Sequence, residues 1–237
     1  MKIGSVSLAN PPVIVLTVTD RESAVLLKQA KPLGARLFEA RIDRFRRLEG
    51  PAVLKRLTSL RKIGLPLIAT VRSRSEGGGR SLSEAKRLQL FRSALPFADA
   101  IDVELSSGEL RKNLVPAARR QKKRVILSYH AFKNTPSDRF LRSVLSRAKR
   151  GGADLVKIAV TPKKDSDVAR FLSFSHRHRR LPLITVIMGR RGTLSRVLAP
   201  FFGSRLTYSF LGKSQAPGQL SLPRLIQKMK DYGLAIQ

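Results

Sequence analysis

The chain has 237 residues, with 47 Lys or Arg against 16 Asp or Glu, for a formal net charge of +31. Hydrophobic residues make up 42% of it, enough to bury a core at a size where roughly 70–75% of the unfolded surface leaves water, which excludes wholesale disorder. The absence of Cys excludes a disulfide framework, a thiolate zinc site and a cysteine nucleophile, and three His with few carboxylates argue against metal-centred chemistry.

In chain order, residues 1–12, ending in Pro11-Pro12, precede the first strand and are expected to close the bottom of the fold. Val13-Ile14-Val15-Leu16-Thr17-Val18 predicts a strand over 13–18, followed by a helix over 21–32. A strand over 35–42 leads to a helix over 50–63, one over 66–71 to 81–95, and one over 99–105 to 107–121. The second half repeats the pattern, with 124–129 leading to 137–150, 154–160 to 165–179, 182–188 to 192–201, and 204–208 to 220–232. Eight successive strand–helix units predict an α/β fold, a (β/α)8 barrel of the TIM type, as a single domain over 1–237. A doubly wound sheet would carry a Gly-rich first turn, and Thr19-Asp20-Arg21-Glu22 stands there instead.

No run approaches the roughly 18 apolar residues of a membrane span. Met1-Lys2-Ile3-Gly4-Ser5 lacks the apolar core of a secretory signal. A cytoplasmic location, away from membranes, is expected. The positive charge falls mostly on the predicted helices, as in Arg119-Arg120-Gln121-Lys122-Lys123-Arg124 and Arg177-His178-Arg179-Arg180. A solvated basic shell is the simpler account of it, with His176 and His178 solvated at a helix end. A dedicated nucleic-acid surface would interleave aromatic with basic residues, and aromatics are only 6% with no Trp. Nonspecific polyanion binding is what the net charge itself implies.

The informative residues are polar side chains at alternate positions near the C-terminal ends of the strands, where barrels of this kind build their sites. Alternation with Phe38, Ala40 and Ile42 turns Glu39, Arg41 and Asp43 to the lumen. The same parity turns Lys157 inward while Val156, Ile158 and Val160 pack outward, and Ser128 shares a face with His130. Asp102 with Glu104, and Thr70 with Arg72, alternate likewise. An inward cluster of Lys, His, Arg and carboxylates is costly to bury unless paired, so it marks a site. Glu39, Arg41 and Asp43 also fit a purely structural ion-pair network. A lysine surrounded by an apolar lumen and other cations is expected to be shifted toward its neutral, nucleophilic form.

These segments resemble one family over nearly the whole chain and in the same order. They are Glu39-Ala40-Arg41-Ile42-Asp43, Thr70-Val71-Arg72 with Glu76-Gly77-Gly78, Asp102-Val103-Glu104-Leu105 and Ser128-Tyr129-His130. Asp154-Leu155-Val156-Lys157-Ile158-Ala159, Met188-Gly189 with Ser195-Arg196, Phe202-Gly203-Ser204 and Ala216-Pro217-Gly218-Gln219 follow. The family is type I 3-dehydroquinate dehydratase of the shikimate pathway. The resemblance implies a Schiff base between Lys157 and the C3 ketone of 3-dehydroquinate, with His130 moving protons as water is lost to give 3-dehydroshikimate. It implies Glu76 as the carboxylate that orients His130, and Arg196 as the holder of the substrate carboxylate. Glu39, Arg41, Arg72, Gln215 and Gln219 match positions that contact substrate or shape the pocket, and residues 211–219 look like a lid. The covalent imine with Lys157 implies that neither cofactor nor metal is used, and a homodimer is a candidate assembly. The chain departs from the family at Ala131, where an Asp usually follows the His, and at Gln215, where a lid Ser is common.

Two other readings remain open at this level. One is another Schiff-base barrel, a class I aldolase using Lys157. The other is a basic nucleic-acid-binding protein on a barrel scaffold.

Overall fold

The computed structural model describes residues 1–9, 12–214 and 216–234; Gln215, Asn10 and Pro11 lie outside the described residues. An antiparallel hairpin opens the chain, with strands β1 (Lys2–Ile3) and β2 (Val6–Ser7). Parallel strands then follow as β3 (Val13–Val18), β4 (Leu37–Arg41), β5 (Leu67–Thr70) and β6 (Ala100–Glu104). The second half supplies β7 (Arg124–Ala131), β8 (Leu155–Val160), β9 (Leu183–Ile187) and β10 (Leu206–Phe210). The helices after them are α1 (Ala24–Lys28), α2 (Gly50–Arg61), α3 (Glu84–Ala94) and α4 (Gly108–Arg120), then α5 (Asp138–Arg150), α6 (Asp165–Arg177), α7 (Ser195–Leu198) and α8 (Leu222–Asp231).

The strands pair in parallel in the order β10-β3-β4-β5-β6-β7-β8-β9. At the seam, the Arg205 N–H donates to the Leu183 carbonyl at 2.8 Å and the Thr185 N–H to Ser204 Oγ at 3.0 Å, which brings β10 back against β9. The result is the (β/α)8 barrel expected from the eight units. No helix among the described residues is long and apolar enough to cross a membrane.

Strand parity sorts the lumen into layers. At the bottom, Val13, Val15, Leu37, Ile68, Ala100, Ile126, Leu155, Ile184 and Leu206 form one buried apolar cluster. Ile3, Val6 and Leu8 of the hairpin segment belong to the same cluster, so the hairpin plugs the lumen and each large side chain buried there contributes roughly 1.5–3 kcal/mol. Two residues further up the same strands, Glu39, Thr70, Asp102, Ser128, Lys157 and Tyr208 replace that apolar layer and are themselves buried. The opposite parity packs against the helices in a second, larger apolar core.

The elements differ from their predicted bounds for local reasons. α1 begins only where Ser23 caps it by accepting from the Leu26 N–H. The helix expected over 192–201 is broken into α7 flanked by 3-10 turns at Arg190–Gly192 and Ala199–Phe202, because Pro200 has no N–H to continue the helical ladder. β10 runs past its expected end because Ser209 and Phe210 pair with Leu220 and Ser221, a short parallel strand, β11. His176 is exposed as expected, but His178 is half-buried, donating Nδ1–H to the Phe174 carbonyl at 2.8 Å at the end of α6.

Candidate active site

At the C-terminal ends of the strands lies a cleft of about 740 Å³, measured with its open mouth. Glu39, Arg41, Arg72, Glu76, His130, Lys157, Arg196 and Gln219 all line it, so the described site residues read from the sequence converge on one place. Gln215 lies outside the described residues.

Lys157 and His130 come from neighbouring strands, with Ser128 opposite Lys157 and His130 opposite Ala159 in the β7–β8 register. Lys157 Nζ donates to Asp102 Oδ2 at 2.9 Å and lies 3.5 Å from Glu39 Oε1. Burial alone would push the lysine down, but Asp102 and Glu39 outweigh it and raise its pKa above the ordinary value. This corrects the expectation of a lysine shifted toward the neutral form. The lumen is apolar below Lys157 and acidic at its level, so in the free protein the side chain is an ammonium. Asp102 is held far below the usual carboxylate range, because Arg72 and Lys157 overcome the burial that would raise it.

Arg72 does not face the cleft as a free cation. It pairs with Asp102 Oδ1 at 2.7 Å, lies 3.3 Å from Glu104 Oε1 and donates to Ser128 Oγ at 2.6 Å. Glu104 also pairs with Arg87, a wholly buried arginine that reaches in from α3 and donates to the Val71 carbonyl and Ser107 Oγ. Arg41 is clamped by Asp43, Nε and Nη2 donating to its two carboxylate oxygens at 3.0 and 2.9 Å. Asp43 is fully buried and also accepts from the Gly79 N–H. The structural ion-pair account therefore holds for Asp43, whose carboxylate orients Arg41.

His130 Nδ1 is 2.9 Å from Glu76 Oε2, which also accepts the His130 backbone N–H at 3.2 Å. Ser106 Oγ donates to the other Glu76 oxygen at 2.5 Å. With Nδ1 engaged, Nε2 is the ring nitrogen left for a ligand. Burial, reinforced by Arg72, lowers the His130 pKa below 6.5, and the Glu76 hydrogen bond opposes this only in part. The imidazole is accordingly neutral at neutral pH.

Arg196 is the exception to the pairing rule. It is 4% exposed; among the described residues no carboxylate pairs with it and Nε has no partner, while Nη2 donates to the Pro217 carbonyl at 3.3 Å. Burial pulls its pKa down to about 10, so it remains a cation, and an uncompensated buried cation is a seat for an anion. The Gly189 N–H also reaches the Pro217 carbonyl, at 3.3 Å. Gln219 bridges Thr17 Oγ1 and the Ala216 N–H. Residues 216–219 are thus seated over the cleft.

Sequence reasoning missed two contributors. Tyr208, buried beside Lys157, shares the inward parity of Leu206, so alternation along the eighth strand would have found it. Arg87, alone in an ordinary helix, carried no signal.

A match to the family model for type I 3-dehydroquinase covers residues 13–232. A 3-dehydroquinate dehydratase from Methanocella arvoryzae is 36% identical over 224 residues, covering 94% of this chain and 98% of that protein. A crystal structure of type I 3-dehydroquinate dehydratase from Clostridium difficile is 30% identical with a TM-score of 0.88, covering 98% of this chain and 96% of that one. A deoxyribose phosphate aldolase from Aeropyrum pernix, 17% identical with a TM-score of 0.60, shares the fold alone. The chain belongs to the type I 3-dehydroquinase family.

Proposed function

We propose that this protein dehydrates 3-dehydroquinate to 3-dehydroshikimate through an imine on Lys157, with His130 moving the protons. The observation that carries the reading is that one cleft holds a buried lysine, an imidazole kept neutral, and a buried Arg196 with no carboxylate partner among the described residues. That set matches a ketone, an acidic C–H and a carboxylate on one small molecule.

Lys157, after giving up a proton, adds to the C3 carbonyl, and the carbinolamine loses water to leave a protonated imine. The imine withdraws electrons from C2, so neutral His130 removes the C2 proton and an enamine forms. The enamine electrons expel the C1 hydroxyl, which leaves as water with the proton His130 had taken. Water then hydrolyses the conjugated imine and restores the amine. The net change is loss of one water, and the imine serves as the electron sink that a cofactor would otherwise supply.

The carboxylates that make the neutral amine scarce also favour the protonated imine, the form that acidifies C2. Glu76 keeps Nδ1 engaged so that Nε2 does the transfer. Arg196 takes the substrate carboxylate, a task for a planar guanidinium, and Arg41, held by Asp43, meets the ring hydroxyls with Glu39. Arg72 supports Asp102 and Ser128 and so shapes the pocket. Gln219, held by Thr17 and the Ala216 N–H, seats residues 216–219 over the substrate and excludes water, and the substrate contact expected of Gln215 falls outside the described residues.

The direct test is the rise of conjugated-enone absorbance when the protein meets 3-dehydroquinate, run with borohydride trapping. Enone formation and a reduced adduct at Lys157 are expected. Retro-aldol cleavage of a sugar phosphate without enone formation would overturn the reading in favour of an aldolase.

The loop that carries Glu76 gives a further test. A Cβ at Gly78 would overlap the Arg72 and Ser73 carbonyl oxygens, where backbone cannot yield cheaply. Gly78→Ala is expected to cost about 1–3 kcal/mol of stability, as overpacking does. Displacing Glu76 by about 1 Å lowers kcat on the order of 100-fold. Thermal unfolding and steady-state rates on the same variant check both.

A further inference from the structure

Tyr208 lies two residues above Leu206 on β10, opposite Val15 in the β10–β3 register, and is 4% exposed. Its ring stands at the side of the cleft with the Lys157 nitrogen over its face, 4.1 Å from the centroid. Its hydroxyl, by contrast, is buried and finds no hydrogen-bond partner among the described residues. Lys157 thus meets Tyr208 over its π face.

We propose that the aromatic face of Tyr208 holds the positive charge of the Lys157 nitrogen, first in the ammonium and then in the protonated imine. The inference rests on the imine reading above and adds a catalytic residue to it. An ammonium has three N–H donors, which here meet Asp102 and Glu39 and leave one beside the ring. The protonated imine has a single N–H, so it keeps at most one of those two hydrogen bonds. Attraction to a ring face acts on charge and needs no N–H. It therefore survives condensation, when half of the carboxylate contact is lost and the electron sink most needs its charge held. Of the other titratable groups near this nitrogen, the Arg72 cation opposes a second positive charge, and His130, neutral in the free protein, does so only once it has taken the C2 proton; Tyr208 adds stabilisation without a formal charge.

The test compares Tyr208→Leu, which removes the π face, with Tyr208→Phe, which keeps it. Tyr208→Leu is expected to lower kcat about 10-fold, the size of a desolvated cation–π contact, with KM changed less than threefold. Tyr208→Phe is expected to restore most of that loss. Without the ring the ammonium is less favoured, so the rise of kcat/KM with Lys157 deprotonation moves to lower pH, a shift that loosened packing alone would not produce.

Should Tyr208→Leu fold poorly, phenylalanines bearing one to five ring fluorines at this position keep the shape and drain the face. The logarithm of kcat is then expected to fall in step with fluorination. Equal loss in the Phe and Leu variants, an unchanged kcat in Tyr208→Leu, or a flat fluorine series would overturn the proposal. If the wild type forms no enone, the dehydratase reading fails separately. The ring contact is then read from the rate at which Lys157 takes up an amine-acylating reagent at fixed pH, which Tyr208→Leu must raise about 10-fold for the proposal to stand.

Discussion

Replacing Lys157 with Ala is expected to lower the dehydration rate about a million-fold, the scale on which enzymes lose activity with their nucleophile, and to abolish the borohydride adduct. Without the amine no imine forms, and C2 keeps the ordinary acidity of a carbon beside a ketone. The same change removes one member of a buried ion set, leaving Glu39, among the described residues, the Thr70 hydroxyl at 2.8 Å while Asp102 keeps Arg72 at 2.7 Å. Because one carboxylate remains paired, the stability loss is expected near the low end of the range for broken buried pairs, about 3 kcal/mol. Lys157→Arg separates the two effects. It keeps a cation opposite Asp102 and Glu39 but has no neutral form to attack a ketone, so it is expected to recover stability in denaturant titration while remaining inert. Measurable turnover in either variant would remove Lys157 from the covalent role.

The barrel was legible because eight β-branched runs alternate with amphipathic stretches, and because parity along each strand separates the two cores. The same parity exposed the site: Glu39, Lys157 and His130 are polar residues in inward positions of otherwise apolar strands, and all three line the cleft. What the sequence left hidden depended on distances between strands. Lys157 was expected to shift toward its neutral form because the lumen read as apolar and rich in other cations, and the placement of Asp102 from two strands away, at 2.9 Å, shows that the ammonium is favoured. Arg72 lines the cleft as read, but its pairing with Asp102, Glu104 and Ser128 came from strands whose spacing the sequence does not give. Arg87 had no periodic or motif signal, since a helix surface rich in Arg gives no indication which one turns inward. The hairpin at Lys2–Ile3 and Val6–Ser7 was too short for alternation to register.

The +31 charge and the site chemistry separate along the same line. In the cleft, Arg41 and Arg72 are matched by Asp43 and by Asp102 with Glu104, and Lys157 by Asp102 and Glu39. The cations of the shell are largely exposed, as at Arg120, Lys122, Arg139, Arg142 and Arg180. Screening over about 8 Å at physiological salt confines their influence on the cleft to those near its mouth. Against this balanced interior, Arg196 stands out as a buried cation with no carboxylate partner among the described residues, which is why the proposed reading gives it the substrate carboxylate.

His130→Gln is expected to lower kcat on the order of 1,000-fold, within the range for a lost general acid–base group, while the Lys157 adduct still forms. Gln keeps a polar group near Glu76 but cannot take the C2 proton, so substrate is expected to accumulate as the imine before proton removal. Borohydride then traps at least as much protein as in the wild type, which no defect in binding would produce. The pH dependence follows from the depressed pKa. Burial and Arg72 hold His130 below 6.5, so the wild type keeps its base at pH 6.5 and loses kcat only at more acid pH, a limb that His130→Gln lacks. Stability has the same sign: between the unfolded value near 6.5 and the lower folded value, the unfolded chain binds more protons. The wild type therefore loses stability as pH falls through that window, and His130→Gln is expected to lose less. A wild-type acid limb centred above pH 6.5, or an imine that no longer forms in His130→Gln, would contradict a neutral buried base acting after condensation.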